Sequence, residues 1–151
     1  MKCLRAMVPP EKFEMRIIGL DLGEKRIGVA AADDRTQVAV PVTTIDAGGD
    51  PIAAIAHLVE EQNADELVIG MPLSMTGAMG PQAQLTMEVV EVLRERMTLP
   101  VHTWDERLTT AQASRSAPRR GRAAEKKGAR DAIAAAILLQ AFLDSRRTSR
   151  A

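Results

Sequence analysis

The sequence predicts one α/β domain built on a mixed five-stranded sheet. Three observations point there. The 151 residues suit a single domain with a real core. Hydrophobic residues make up 46%, too many for a disordered chain. The apolar pattern also switches from strand-like runs to a helical period partway along the chain. No internal repeat or interdomain linker interrupts it.

The elements follow in order. Arg16–Asp21 (RIIGLD) is a short apolar run ending in an acid and reads as a buried strand. Leu22, Gly23, Glu24 and Lys25 make a turn, and Arg26–Ala32 (RIGVAAA) runs back as a second strand of a hairpin. Gln37–Ile45 is rich in β-branched residues and predicts a third strand, with Pro41 at an edge or bulge position. Pro51–Gln62 has the helical period, with Asp50 as N-cap and Pro51 at the first helical position. Glu66–Met71 is the fourth strand, and Pro72–Met79 a loop. Pro81–Met97 is an amphipathic helix with Leu85, Val89, Val92, Leu93 and Met97 on its apolar side. Leu99–Trp104 is the fifth strand, Thr109–Arg115 a short helix, and Ala129–Leu143 a final Ala/Leu-rich helix.

Three antiparallel strands followed by βα units, flanked by helices, is the order that the RNase H-like fold requires. The domain expected is residues 16–144, with an N-terminal extension over 1–15 and a basic C-terminal tail over 145–151.

Composition excludes several function classes. There is no Tyr, one Trp and two Phe, so stacking of bases on aromatic platforms is not the main binding mode. No apolar run approaches the ~20 residues that span a bilayer, and the N-terminus lacks the apolar stretch of a secretory signal. The single cysteine, Cys3, permits neither an intrachain disulfide nor a cysteine-based zinc site, which fits a reducing cytoplasm. Net charge is zero but unevenly spread. Residues 1–114 hold 10 Lys+Arg against 17 Asp+Glu, and residues 115–151 hold 10 against 3. A basic segment on an acidic body suits a polyanionic partner, and equally suits a solvated loop.

Candidate chemistry rests on acids at element ends. Asp21 closes the first strand, Asp105 and Glu106 follow the fifth, and Asp131 opens the last helix. A sheet of this order can bring such positions to one spot. Clustered carboxylates repel one another and are favourable with a hard cation such as Mg²⁺, which prefers oxygen ligands. Each also has a structural reading: Asp21 in turn hydrogen bonding, Asp105 as an N-cap, Glu106 as a solvated acid beside Arg107, and Asp131 as a helix-start charge. Spacing alone does not choose.

The surrounding residues resemble a known family. Ile18-Gly19-Leu20-Asp21-Leu22-Gly23-Glu24-Lys25-Arg26-Ile27-Gly28-Val29-Ala30 is similar to the opening motif of the YqgF/RuvX family of Holliday-junction-resolvase-like proteins, described as pre-16S rRNA nucleases. Val68-Ile69-Gly70-Met71-Pro72-Leu73, with Gly77 and Gly80-Pro81, resembles its central loop. Trp104-Asp105-Glu106-Arg107-Leu108-Thr109-Thr110 resembles its third motif, and Asp131 with Ala134 to Leu143 its last helix. Two departures are Phe142 where Tyr is usual, and Lys127-Gly128-Ala129-Arg130 without an apolar residue ahead of Asp131.

The resemblance implies an RNase H-like, cytoplasmic, Mg²⁺- or Mn²⁺-dependent nuclease that matures the 5′ end of precursor 16S rRNA, with branched DNA as a further substrate. Residue by residue, Asp21 and Asp131 match metal-binding acids. The middle acid is Glu106, or Asp105 in the same tripeptide, unless Asp105 orients Arg107 or caps a helix. Lys25 and Arg26 flank Asp21 and could hold a phosphate. Strand alternation sends one of them to the site, with Lys25 favoured. Arg107 is a candidate for stabilising charge on the scissile phosphate, and the loop Pro72–Gly80 borders the site. Arg115, Arg119, Arg120, Arg122, Lys126, Lys127 and Arg130 form a basic arm that would contact phosphates rather than read bases. His57 and His102 read as bystanders. Junction resolution would call for a homodimer, single-strand processing only a monomer.

Two rivals remain. A non-catalytic RNA-binding or ribosome-assembly factor could share the fold. An actin-like phosphotransfer module also opens with Asp-x-Gly after a first strand, but needs two domains, and Glu24 stands where a hydroxyl would contact phosphate.

Overall fold

A computed structural model describes residues 15–108 and 127–150. Five strands form one sheet: β1 Arg16–Leu22, β2 Arg26–Asp33, β3 Val40–Asp46, β4 Glu66–Met71 and β5 Val101–Asp105. Three helices cover it: α1 Pro51–Gln62, α2 Pro81–Arg96 and α3 Lys127–Arg150. The strand order is β3-β2-β1-β4-β5. β1 pairs antiparallel with β2, and β2 with β3, whereas β1–β4 and β4–β5 are parallel. This is the mixed α/β sheet that the sequence predicts.

The local signals act as expected in most places. The Asp50 side chain accepts a hydrogen bond from the Ala53 N–H and Pro51 occupies the first turn of α1. At the other end Asn63 takes the left-handed conformation (φ 52°) that closes the helix. Pro41 lies on edge strand β3, opposite a bulge between Val29 and Ala30, where its missing N–H costs no ladder bond.

Some bounds differ. β3 starts at Val40 rather than Gln37, because the chain first turns. Asp33 Oδ1 accepts from the N–H groups of Arg35 and Thr36, and Gln37 adopts a positive φ of 57°. β5 starts at Val101. In α2 the buried residues are Ala83, Thr86, Val90 and Leu93, and Leu85 faces solvent. The apolar side is rotated from the expected one because Ala83 and Thr86, small enough to sit close to the sheet, replace Leu85 there. α3 runs to Arg150, so residues expected as a tail after 144 continue the helix. Arg146 Nη1 reaches Glu66 Oε2 at 2.9 Å, which ties that last part to β4. The helix expected over 109–115 lies outside the described residues, as does Cys3.

Two apolar layers hold the sheet. On one face Ile18, Leu20, Ile27, Val29, Leu67 and Ile69 pack against Ile55 and Leu58 of α1 and Val90 and Leu93 of α2. On the other, Ile17, Ala30, Ala32 and Val68 meet Ala135, Leu138, Leu139 and Leu143 of α3. Each large aliphatic side chain so buried contributes about 1.5–3 kcal/mol. The second face is lined by small residues, and this positions the site. A Cβ on Gly19 would stand 2.8 Å from Leu139 Cβ, and one on Gly28 would run into the Asp131 carbonyl oxygen. The backbone of α3 therefore rests directly on β1 and β2, and Asp131 is fixed above their ends.

Candidate active site

The parallel strands β1, β4 and β5 end on the same edge of the sheet, at Leu22, Met71 and Asp105. Alternation along β1 puts Asp21 on the same face as Ile17 and Gly19, toward α3. Asp131, near the start of α3, comes over that edge because Gly28 lets the helix backbone touch β2. Past the end of β5 the chain enters a single 3₁₀ turn, Glu106–Leu108, which swings Glu106 back over the sheet. A Cβ on Gly70 would lie 3.0 Å from Glu106 Cγ, so the absence of a side chain there makes room for it.

The electrostatics show that these acids share one environment. Burial pushes the Asp21 carboxyl up to about 6, and the Asp131 charge adds to the rise. Burial also pushes Glu106 up to about 7, with further contributions from Asp21 and then Asp105. Asp131 thus acts on Asp21, and Asp21 on Glu106, linking acids on three different elements. Two carboxyls that resist ionisation, Asp21 and Glu106, make a setting in which a hard cation relieves repulsion.

Asp105 behaves differently. Hydrogen bonds from the Arg107 side chain hold its carboxyl below the usual carboxylate range, and the same contact raises Arg107. Arg107 Nη2 lies 2.6 Å from Asp105 Oδ2.

A cavity of about 310 Å³ opens at this edge, lined by Asp21, Gly23, Glu24, Lys25, Arg26 and Asp131. The expectation that only one of Lys25 and Arg26 faces the site is therefore corrected. Lys25 sits in the turn and is free of the strand's alternation, so both reach the cavity. Arg26 Nε lies 3.0 Å from Asp131 Oδ2, a link across 105 positions in sequence. No periodicity signals such a pair.

The donor set is all oxygen, which suits Mg²⁺ or Mn²⁺ rather than a soft metal. Among the described residues, no three acids, histidines or cysteines are grouped closely enough to hold a metal ion. Arg26 Nε already takes one Asp131 oxygen, so a cation there would use the other oxygen or displace the guanidinium. Arg119, Arg120, Arg122 and Lys126 lie outside the described residues. Lys127 begins α3, and its side chain is likewise not described.

At the far end of the sheet lies a polar group that sequence reasoning missed. Glu66, 9% exposed, accepts from Arg146 and is bonded to His102 Nε2 at 2.7 Å. Phe142 lies against both the His102 ring and the Arg146 guanidinium. His102 is thus a structural residue on the opposite end from Asp21. His57 makes only an exposed contact with Glu61, 3.8 Å away. Among the described residues no helix is long and apolar enough to cross a membrane.

Comparison with known proteins places this geometry in context. Residues 15–145 match the family described as RuvX, Holliday junction resolvase. A protein of Chloroflexus aggregans named "Putative pre-16S rRNA nuclease" is 43% identical over 137 residues, covering 89% of this chain and 96% of that protein. One of Chloroflexus aurantiacus with the same name is 40% identical over 136 residues, covering 88% and 89%. Among solved structures, Thermus thermophilus RuvC superposes with a TM-score of 0.54 at 13% identity, covering 89% of this chain and 97% of that one. At that identity the likeness concerns the fold, which is RNase H-like.

Proposed function

This chain belongs to the RuvX family of Holliday junction resolvases, and on that premise we propose that it is a metal-dependent nuclease whose cation is held by Asp21, Glu106 and Asp131. The observation that carries the reading is the coupled elevation of Asp21 and Glu106 by burial and by neighbouring acids. Burying the Asp21 and Glu106 carboxylates near Asp131, which Arg26 already pairs, is unfavourable without a further positive charge. Mg²⁺ or Mn²⁺ supplies that charge, and when bound also activates water and stabilises the leaving oxygen.

The residues of the chain do the rest. Asp21 and Asp131 orient the site from the two sides of the cavity, and Glu106 completes it from the end of β5. Lys25 and Arg26 hold a phosphate oxygen at the cavity mouth, Arg26 with its planar fork. Arg119, Arg120, Arg122, Lys126 and Lys127 add non-specific phosphate contacts, which makes binding fall steeply with salt.

The names of the relatives support precursor 16S rRNA as the substrate, cut near its 5′ end in the cytoplasm. The family description supports branched DNA as a second one. The test compares wild type with Asp21→Asn on a precursor 16S rRNA fragment and on a four-way junction, with Mg²⁺ or Mn²⁺. Oligomeric state is measured in the same buffer, because symmetrical junction cutting needs two sites. The wild type should cut and the variant should bind without cutting. Equal cleavage by both would remove Asp21 from the chemistry. Binding without cleavage by the wild type would make the chain a non-catalytic RNA-binding factor.

A further inference from the structure

The Asp105–Arg107 pair stands beside the acid cluster with a connection of its own. Arg107 Nε lies 3.0 and 2.9 Å from the two Asp105 carboxylate oxygens, and the Arg107 backbone N–H donates to Asp105 Oδ1 at 2.9 Å. With Nη2 also on Oδ2, both oxygens of Asp105 are engaged. The remaining arm of the fork points away, and Nη1 donates to the Met75 carbonyl at 3.3 Å.

Met75 belongs to the loop of residues 72–80, which joins β4 to α2. This loop is closed on itself. The Gly77 N–H donates to Ser74 O at 2.8 Å, and the Ser74 N–H to Ala78 O at 3.0 Å. Ser74 Oγ accepts from the Ala78 N–H at 3.1 Å. Gly77 has φ +87°, which L side chains rarely adopt, and a Cβ there would stand 3.3 Å from Arg107 Nη1. The guanidinium thus lies against a turn that glycine makes possible. The Met75 side chain at its tip points into solvent.

We propose that Arg107 is a positioning residue: with Asp105 it forms a strut that fixes the 72–80 loop beside Glu106, and this loop is a rigid wall of the path taken by the nucleic acid strand. Asp105 is then a structural acid, and of the two acids in the tripeptide Glu106 is the one that reaches over Gly70 toward the cation. The inference rests on the nuclease reading for its substrate, but the strut itself is testable without cleavage.

Hydrogen exchange on the full-length protein reads the strut directly. Arg107→Ala should speed exchange at the Gly77 and Ala78 amides about tenfold, with little change in Tm. Arg107→Lys should not restore protection, because one ammonium cannot bridge both Asp105 oxygens and the Met75 carbonyl together. In Mn²⁺ calorimetry, Asp105→Asn should bind as wild type does, whereas Glu106→Gln should weaken binding about tenfold or more. In cleavage of an oligonucleotide, Arg107→Ala should raise KM several-fold with kcat nearly unchanged. Unchanged loop exchange in Arg107→Ala would overturn the proposal. So would a loss of kcat at constant KM, which would put Arg107 on the reacting phosphate, or an Asp105→Asn defect in Mn²⁺ binding as large as that of Glu106→Gln. If the wild type cuts nothing, the nuclease reading fails while the exchange measurement still decides the strut.

Discussion

Asp21→Asn should make the protein more stable at alkaline pH while removing its activity. The Asp21 carboxyl is raised from 3.8 to about 6 by burial and by Asp131. Each pH unit of displacement corresponds to about 1.36 kcal/mol, so the charged form carries a penalty of ~3 kcal/mol in the folded state. The side chain borders an open cavity, and solvent screening reduces the recoverable part to ~1–2 kcal/mol. The sign follows from proton linkage. In the unfolded chain Asp21 ionises near pH 4, whereas in the folded protein it keeps its proton to about 6. The Asp21 contribution is therefore fully present below the unfolded value and is lost as pH rises through 6, and that of Glu106 follows as pH rises through about 7.

Asparagine does not titrate, so the variant should exceed wild type by ~1–2 kcal/mol at pH 8 and match it closely at pH 4. Glu106 adds to the difference, because its own elevation comes partly from Asp21. Urea unfolding at the two pH values, with divalent cations chelated and the m value unchanged, measures this. Added Mg²⁺ should close the gap by stabilising wild type selectively. A variant less stable than wild type at pH 8, or a difference independent of pH, would refute the reasoning.

Other expectations follow from the same structure. Gly28→Ala should cost ~3 kcal/mol or more by thermal or urea unfolding, since the methyl group meets the Asp131 backbone rather than a movable side chain. Glu66→Ala should cost ~2–3 kcal/mol by leaving Arg146 and His102 without their shared partner; cleavage per folded molecule should persist, as the cluster is at the opposite end from Asp21. Neutralising Arg119, Arg120 and Arg122 together should weaken nucleic acid binding and flatten its salt dependence by roughly 2–3 in slope. An unchanged slope in a titration from low to moderate salt would exclude the arm from binding.

Much of this architecture is legible from particular residues. Gly23 between two apolar runs marks the hairpin, Asp50-Pro51 marks the start of α1, and Pro41 marks an edge. Asp21, Glu106 and Asp131 are visible as acids at element ends, and motif resemblance singles them out where spacing does not. What escapes a linear reading is whatever depends on packing across the sheet. Leu85 fits the helical period of α2, yet smaller neighbours take the buried side. The Arg26–Asp131 and Glu66–Arg146 pairs join positions far apart in sequence, and α3 continues past Leu143 to a residue that reads as tail. Asp105 and Glu106 are adjacent and alike as residue types. Their three-dimensional neighbours, Arg107 for one and Gly70 with Asp21 for the other, set their surroundings apart.

The most direct test of the account is an anomalous-difference map from a crystal of the full chain soaked in Mn²⁺. A peak is expected within ligand distance of carboxylate oxygens from Asp21, Glu106 and Asp131, with Arg26 drawn off Asp131 or sharing it. A map with no peak there at saturating Mn²⁺, or with the ion on Asp105 instead of Glu106, would contradict it.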